Sequence, residues 1–309
     1  MSHLRISLLL VACAAPAPAP SLAPAPVSPP VSSTSPPSTP GTPATPPTAQ
    51  APAEAKPCGA LSCLEFSSAE KAFARVLEEQ PHVLAVGEAH AQKGTEAVAS
   101  TARRFEERLL PMVRGRASDI VIELLIADGK CGKKVEERVA EQQRPVTQNQ
   151  AATNQNEFVE LGTVAKRQGT APHALTPTCA EYAAISSAGD DAVDKMLTTV
   201  ADATVRTLEA LLKLRSPNAL LLAYGGAIHN DVAPRAGRES WSFGPRLQQL
   251  SNDKYVELDL IVPEYVKDTE TWRAFPWYSA YSELKGDHGA LLYRIAPRSF
   301  VLVFPRSSP

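Results

Sequence analysis

The chain has 309 residues, of which 31 are Lys or Arg and 33 are Asp or Glu, giving a net charge of −2. No basic tract stands out, which excludes the electrostatic footprint of a nucleic-acid-binding protein. No apolar run approaches the roughly 20 residues that cross a bilayer, and the length leaves room for one sizeable core.

The N-terminus comes first. Met1-Ser2-His3-Leu4-Arg5 is a short positive start, and an apolar or small-residue run over 6–12 leads to Cys13. That order reads as a secretory signal. Leu10-Val11-Ala12-Cys13 is similar to the bacterial lipobox, so a lipid on Cys13 and a place in the cell envelope, facing the periplasm or exterior, are expected. The rival reading is an ordinary signal peptide cleaved a few residues later. Residues 14–57 consist mostly of Ala, Pro, Ser and Thr, with Glu54 and Lys56 as the only charges and no aromatic residue. Such a composition cannot bury enough apolar surface to fold, and its prolines favour an extended spacer. The expected organisation is a signal peptide over 1–12, a lipidated cysteine and linker over 13–57, and a folded domain over 58–309.

The domain opens with Ser67-Ser68-Ala69-Glu70, which has capping-box spacing and predicts a helix up to Pro81. Residues 82–86 form an apolar strand stopped by Gly87. Residues 95–110 read as a helix and 119–125 as a second strand. A helix over 133–143 and an amide-rich loop around 148–155 follow, then a helix over 156–168. Residues 173–178 suggest a third strand, and 190–215 have helical apolar spacing. Strands are expected over 219–224, broken by Gly225-Gly226, and over 255–262. A closing hairpin is expected over 290–295 and 299–304. Strands that are apolar throughout, alternating with long helices, predict an α/β fold: a largely parallel central sheet with helices on both faces, plus the C-terminal β-hairpin.

Four cysteines remain besides Cys13: Cys58, Cys63, Cys131 and Cys179. An even count in an exported chain points to disulfides. Cys58–Cys63 would close a small loop, leaving Cys131–Cys179 as the second bridge; the spacings match no common zinc pattern.

In open α/β sheets, ligands bind beyond the carboxyl ends of the strands. Gly87-Glu88-Ala89-His90 follows the first strand, and Gly226-Ala227-Ile228-His229 follows the strand at 219–224, with Asn230 and Asp231 next. Gly-x-x-His therefore occurs twice, each time after a strand, where chance would give about 0.3 occurrences in the chain. Glu123 sits in the apolar run 120–126, where a carboxylate is costly unless it pairs or binds something. Gly87 and Gly226 would let the backbone approach a ligand, with Asn230 and Asp231 beside it. Two imidazoles and one or two carboxylates suit a divalent metal that activates water. They equally suit metal-free hydrolysis, with His as general base and Glu orienting it. His82, His173 and His288 are expected to be structural, while Thr176, Thr178 and Glu264 are weaker candidates for the pocket wall.

The strings Val83-Leu84-Ala85-Val86-Gly87-Glu88-Ala89-His90, Val121-Ile122-Glu123-Leu124 and Leu221-Leu222-Ala223-Tyr224-Gly225-Gly226-Ala227-Ile228-His229 together resemble the ChaN/Tiki/TraB superfamily, with erythromycin esterases as more distant relatives. The likeness covers most of residues 66–263, and the Glu in Gly87-Glu88-Ala89-His90 resembles the ChaN branch in particular. It implies an α/β fold whose GxxH and Glu residues meet in one cleft, and it implies metal ligation by His90, Glu123 and His229. Activity differs within the family. Tiki-type members are metal-dependent proteases, erythromycin esterases hydrolyse a lactone, and ChaN is a lipoprotein that binds haem. The first expectation is a metal-assisted hydrolase with Glu88, His90, Glu123 and His229 around the reacting water. The alternatives are a haem- or iron-binding lipoprotein, for which Tyr224 and Tyr265 are candidate ligands, and a scaffold that retains the fold alone. Expected partners are a membrane, through the lipid anchor, and a small-molecule, peptide or haem ligand.

Overall fold

Long runs of aliphatic residues that repeat as strand, helix, strand build a sheet buried on both sides, and the computed structural model has that architecture. It describes residues 55–126, 130–284 and 286–307, so Cys13, the expected signal peptide and nearly all of the expected linker lie outside the described residues.

The chain enters at a sheet edge through β1 (Lys56–Pro57) and β2 (Leu64–Phe66), whose connecting turn is bridged by the Cys58–Cys63 disulfide. Ordered strand thus begins just ahead of the boundary expected at residue 58. Helix α1 (Ala69–Leu77) is capped by Ser68, whose Oγ accepts from the Lys71 amide at 3.4 Å. The cap is one residue later than the Ser67–Glu70 spacing suggests; Glu70 instead binds the Arg108 guanidinium at 2.6 Å.

After β3 (Val83–Glu88), the helix expected over 95–110 begins only at α2 (Thr101–Arg104). Ser100 is its cap, accepting from the Arg103 amide at 3.1 Å, whereas Thr95 closes a turn back onto Gln92. The segment continues as a π turn over Phe105–Leu109 and a 3-10 turn over Leu110–Val113. Then come β4 (Ala117–Leu125), α3 (Lys133–Thr147), α4 (Asn154–Arg167) and β5 (Ala171–Leu175). The third strand therefore lies earlier than expected, because Thr178 begins a helix, α5 (Cys179–Ser187), through a full capping box with Glu181. The remaining elements are α6 (Ala192–Leu214), β6 (Leu220–Gly226), α7 (Gly244–Leu250), β7 (Tyr255–Ile261), the short α8 (Glu270–Arg273) and α9 (Tyr278–Ser282), β8 (Ala290–Ala296) and β9 (Ser299–Val303).

The strands form one sheet in the order β1-β2-β8-β9-β7-β3-β6-β4-β5. From β9 to β5 all neighbours are parallel, and β8, β2 and β1 extend one edge through antiparallel pairs. The fold is α/β with a mostly parallel sheet and a C-terminal hairpin, as the sequence predicts. Alternation along β3 divides the core. Leu84 and Val86 pack with α1, α4 and the helical turns after α2; Val83 and Ala85 pack with α6 and α7. A further cluster around Trp277 and Tyr293 covers the hairpin.

Strands β3 and β6 do not stop at their glycines. Gly87 pairs with Gly225 and Glu88 with Gly226, so both motifs begin inside the sheet rather than after it. Both expected disulfides, Cys58–Cys63 and Cys131–Cys179, are formed. Among the described residues no helix is long and apolar enough to cross a membrane.

Candidate active site

Parallel register places the carboxyl ends of β3, β4 and β6 side by side, and this brings Glu88, His90, Glu123 and His229 together. Glu88 ends β3 and is only 4 % exposed. Its Oε1 lies 2.7 Å from His90 Nδ1, and its Oε2 accepts a short hydrogen bond from the Tyr224 hydroxyl. Burial pushes the Tyr224 phenol well up, so it stays a donor to Glu88. His90 consequently keeps Nε2 free of Glu88.

The second histidine is pinned in the same manner. His229 Nδ1 donates to the Trp241 carbonyl at 2.7 Å, and its Nε2 is 3.5 Å from Glu123 Oε1. The other Glu123 oxygen accepts the Gly226 amide at 2.6 Å. Burial alone would raise Glu123, but the charges of His229 and His90, with the Gly226 bond, hold it below the usual carboxylate range. Burial likewise opposes protonation of His90 and His229. It is outweighed by Glu88 and Glu123 beside His90 and by Glu123 beside His229, so both imidazoles are raised.

The two motif glycines do different work. A Cβ on Gly226 would stand 3.2 Å from His90 Nε2 and 3.5 Å from Glu123 Oε2, so its bare backbone forms the floor between them. A Cβ on Gly87 would stand 2.7 Å from the Ala227 Cα and 2.7 Å from Asn230 Nδ2. Gly87 is thus a packing glycine beneath the loop after β6. Asn230 is buried there, donating to Asp259 Oδ1 at 3.0 Å, and neither it nor Asp231 lines the cleft. Gly87 and Asn230, expected to contact a ligand, therefore pack beneath the loop that carries His229, and Asp231 stands apart from the cleft.

Two cavities flank His90. One of about 280 Å³ is walled by Leu124, Leu125, Phe158, Met196, Leu197 and Val200, with Glu123 and His229 at its base. The other, about 700 Å³, opens between the ends of β3 and β7 and the α8 segment. Thr176, Thr178 and Glu264 line neither. Thr178 caps α5, and Glu264 accepts from the Ser307 amide at 2.6 Å. His173 has a structural role: it binds Asp119 at 2.8 Å, and Arg215 holds the same carboxylate. His82 Nε2 is buried, and His288 lies 3.7 Å from Glu65. Tyr224 and Tyr265, the candidate haem ligands, are each 2 % exposed, and Tyr265 borders the larger cavity.

Metal-binding imidazoles characteristically spend their second nitrogen on a carboxylate or backbone carbonyl, as His90 and His229 do. Their spacing is looser. Among the described residues, the group whose ligand atoms all lie within 4.8 Å of one another is a different one, Asp231, Glu257 and Asp259. Glu257 and Asp259 share one face of β7, and Glu257 is tied to the Val232 amide at 2.7 Å and to Ser299 Oγ at 2.9 Å. Sequence reasoning missed this cluster, although two acids in an apolar strand carry the same signal as Glu123. It also missed Tyr224 as the partner of Glu88, and Trp241. No family model, curated protein or solved structure matches the chain.

Proposed function

We propose that this chain is an envelope lipoprotein whose folded domain hydrolyses an ester or amide in the cleft between His90 and His229. The supporting observation is the matched pinning of the two imidazoles: each spends Nδ1 on a fixed acceptor and leaves Nε2 on the cleft side, with Glu123 between them. In the direct reading, Glu88 orients His90 and favours its charged form, so that Nε2 takes a proton from water as the oxygen attacks a carbonyl carbon. The proton then passes to the leaving oxygen or nitrogen. A divalent metal held by His90, Glu123 and His229 would instead supply a bound water of lowered pKa. In either case Glu123 contributes a carboxylate kept ionised by its neighbours, and the aliphatic wall limits competing water.

The test is hydrolysis of an ester and peptide panel, with metal analysis, for His90→Ala and His229→Ala. Each is expected to lose about 100-fold or more in kcat/KM while remaining folded, as circular dichroism would check. If neither substitution changes hydrolysis or bound metal, the enzyme reading fails. Two disulfides suit an oxidising compartment and agree with export. Anchoring has its own check: metabolic labelling with a fatty acid should mark the wild type and not Cys13→Ala, and an unlabelled wild type ends that part of the reading.

A further inference from the structure

The hydrolytic reading leaves the larger cavity without a role. It shares His90, Gly226 and Ile228 with the smaller one, so the two meet where a reacting carbonyl would stand. Their walls differ in kind. The smaller offers aliphatic groups from Leu125, Met196, Leu197 and Val200. The larger offers the half-buried rings of Trp272 and Phe275, whose centroids are 5.7 Å apart, together with Asn149, Thr269 and Thr271. Tyr265 also lines it, with its hydroxyl buried away from the open space.

Aromatic rings beside amides and hydroxyls suit a ligand that is itself apolar on its faces and hydroxylated at its edges. A purely aromatic ligand would make no use of Asn149, Thr269 and Thr271. We infer that the cleft takes an acylated saccharide, with the acyl chain between β4 and α6, the sugar ring in the lobe of Trp272 and Phe275, and the linking ester or amide at His90. The assignment of the linking bond rests on the hydrolase reading; the two binding lobes do not. In the reaction, the water oxygen bonds to the carbonyl carbon and the bond from that carbon to the sugar oxygen or nitrogen breaks. The products are a carboxylic acid and the free sugar, the proton from water ending on the leaving atom, with no further reactant.

Binding without turnover tests the lobes. Isothermal titration of the full chain would use hexyl β-glucoside, which has no carbonyl, against glucose, hexanol and phenyl hexyl ether. The glucoside is expected to bind about tenfold or more tighter than glucose, hexanol or the phenyl ether. Trp272→Ala should bring the glucoside down to the affinity of hexanol while leaving hexanol unchanged. Thr271→Trp, which fills the same lobe from an exposed position, should do likewise and does not depend on the packing of Trp272. The inference is overturned if the glucoside binds no tighter than hexanol, if the phenyl ether binds as well as the glucoside, or if Thr271→Trp changes nothing. Hydrolysis of hexanoyl glucose separates the two claims, because His90→Ala should abolish it whatever its effect on glucoside binding. Glucoside binding with no hydrolysis by the wild type sinks the hydrolase reading alone; hydrolysis of simple esters without selective glucoside binding sinks the saccharide assignment alone.

Discussion

A methyl group on Gly225 would stand 2.8 Å from the Glu123 Cβ and closer still to its carboxylate, so even alanine there must push Glu123 away from His229. Gly225→Ala is therefore expected to lower kcat/KM about tenfold or more, and to cost about 1–3 kcal/mol of stability, because overpacking next to a paired carboxylate has no soft side. Steady-state kinetics and urea unfolding would measure both, and an active, fully stable variant would contradict the geometry. At this scale the sequence is informative wherever chemistry is out of place. Glu123 in an apolar run and a histidine at a fixed distance from a strand-end glycine both stand out, and they do meet. Tyr224 is different. It reaches Glu88 only because Val86 pairs with Tyr224, a register between residues far apart in the chain. The Trp241 carbonyl is a backbone atom, and no side-chain pattern announces it.

Strand β7 carries the clearest pH dependence. Burial pushes Glu257 up to about 7, with Asp231 adding to the effect, and burial pushes Asp231 up to about 6. Between the ordinary Glu value of 4.5 and about 7, the folded chain holds a proton on Glu257 that the unfolded chain has released. Stability from this group is therefore full at the acid end of that window and falls as pH rises through it. Glu257→Gln should flatten that slope and stabilise the protein above pH 7.5, by on the order of 1–3 kcal/mol relative to wild type. Thermal midpoints from pH 5 to 8 would show it, and parallel curves for the two proteins would refute it. Elements were legible in proportion to their length. The 23-residue α6 and the buried strands follow from periodicity, whereas α2 starts late because a serine cap outcompetes the turn at Thr95. Helix α5 was legible in principle from Thr178 and Glu181, but an apolar stretch beside them reads equally well as strand.

For the molecule as a whole, alternation of strands and helices dictates a parallel sheet but not the order of its strands. The C-terminal hairpin is a local feature and follows from sequence. The attachment of β2 to β8 joins opposite ends of the domain, and the three residues of β2 are too few to signal it. The two disulfides differ at this scale. Cys131–Cys179 spans 48 positions and ties the start of α5 to the turn before α3, while Cys58–Cys63 spans 5. Loop-closure entropy predicts a loss of about 4 kcal/mol for Cys131→Ser with Cys179→Ser, against about 2 kcal/mol for Cys58→Ser with Cys63→Ser. Urea unfolding of the two double variants would test this, and equal losses would rule out the entropic explanation.

The shorter bridge has a mechanical consequence. A tensile load on the chain at Ala55 peels the two-residue β1 away from β2, like a zipper opened from its end. Beyond Pro57 the Cys58–Cys63 bond bypasses the intervening turn and passes the force straight to β2. Extension of the turn is forbidden while the bond is intact, so the load falls on the pairing of β2 with β8. Reduction of that one bond would lengthen the chain under tension and leave the cleft strands untouched.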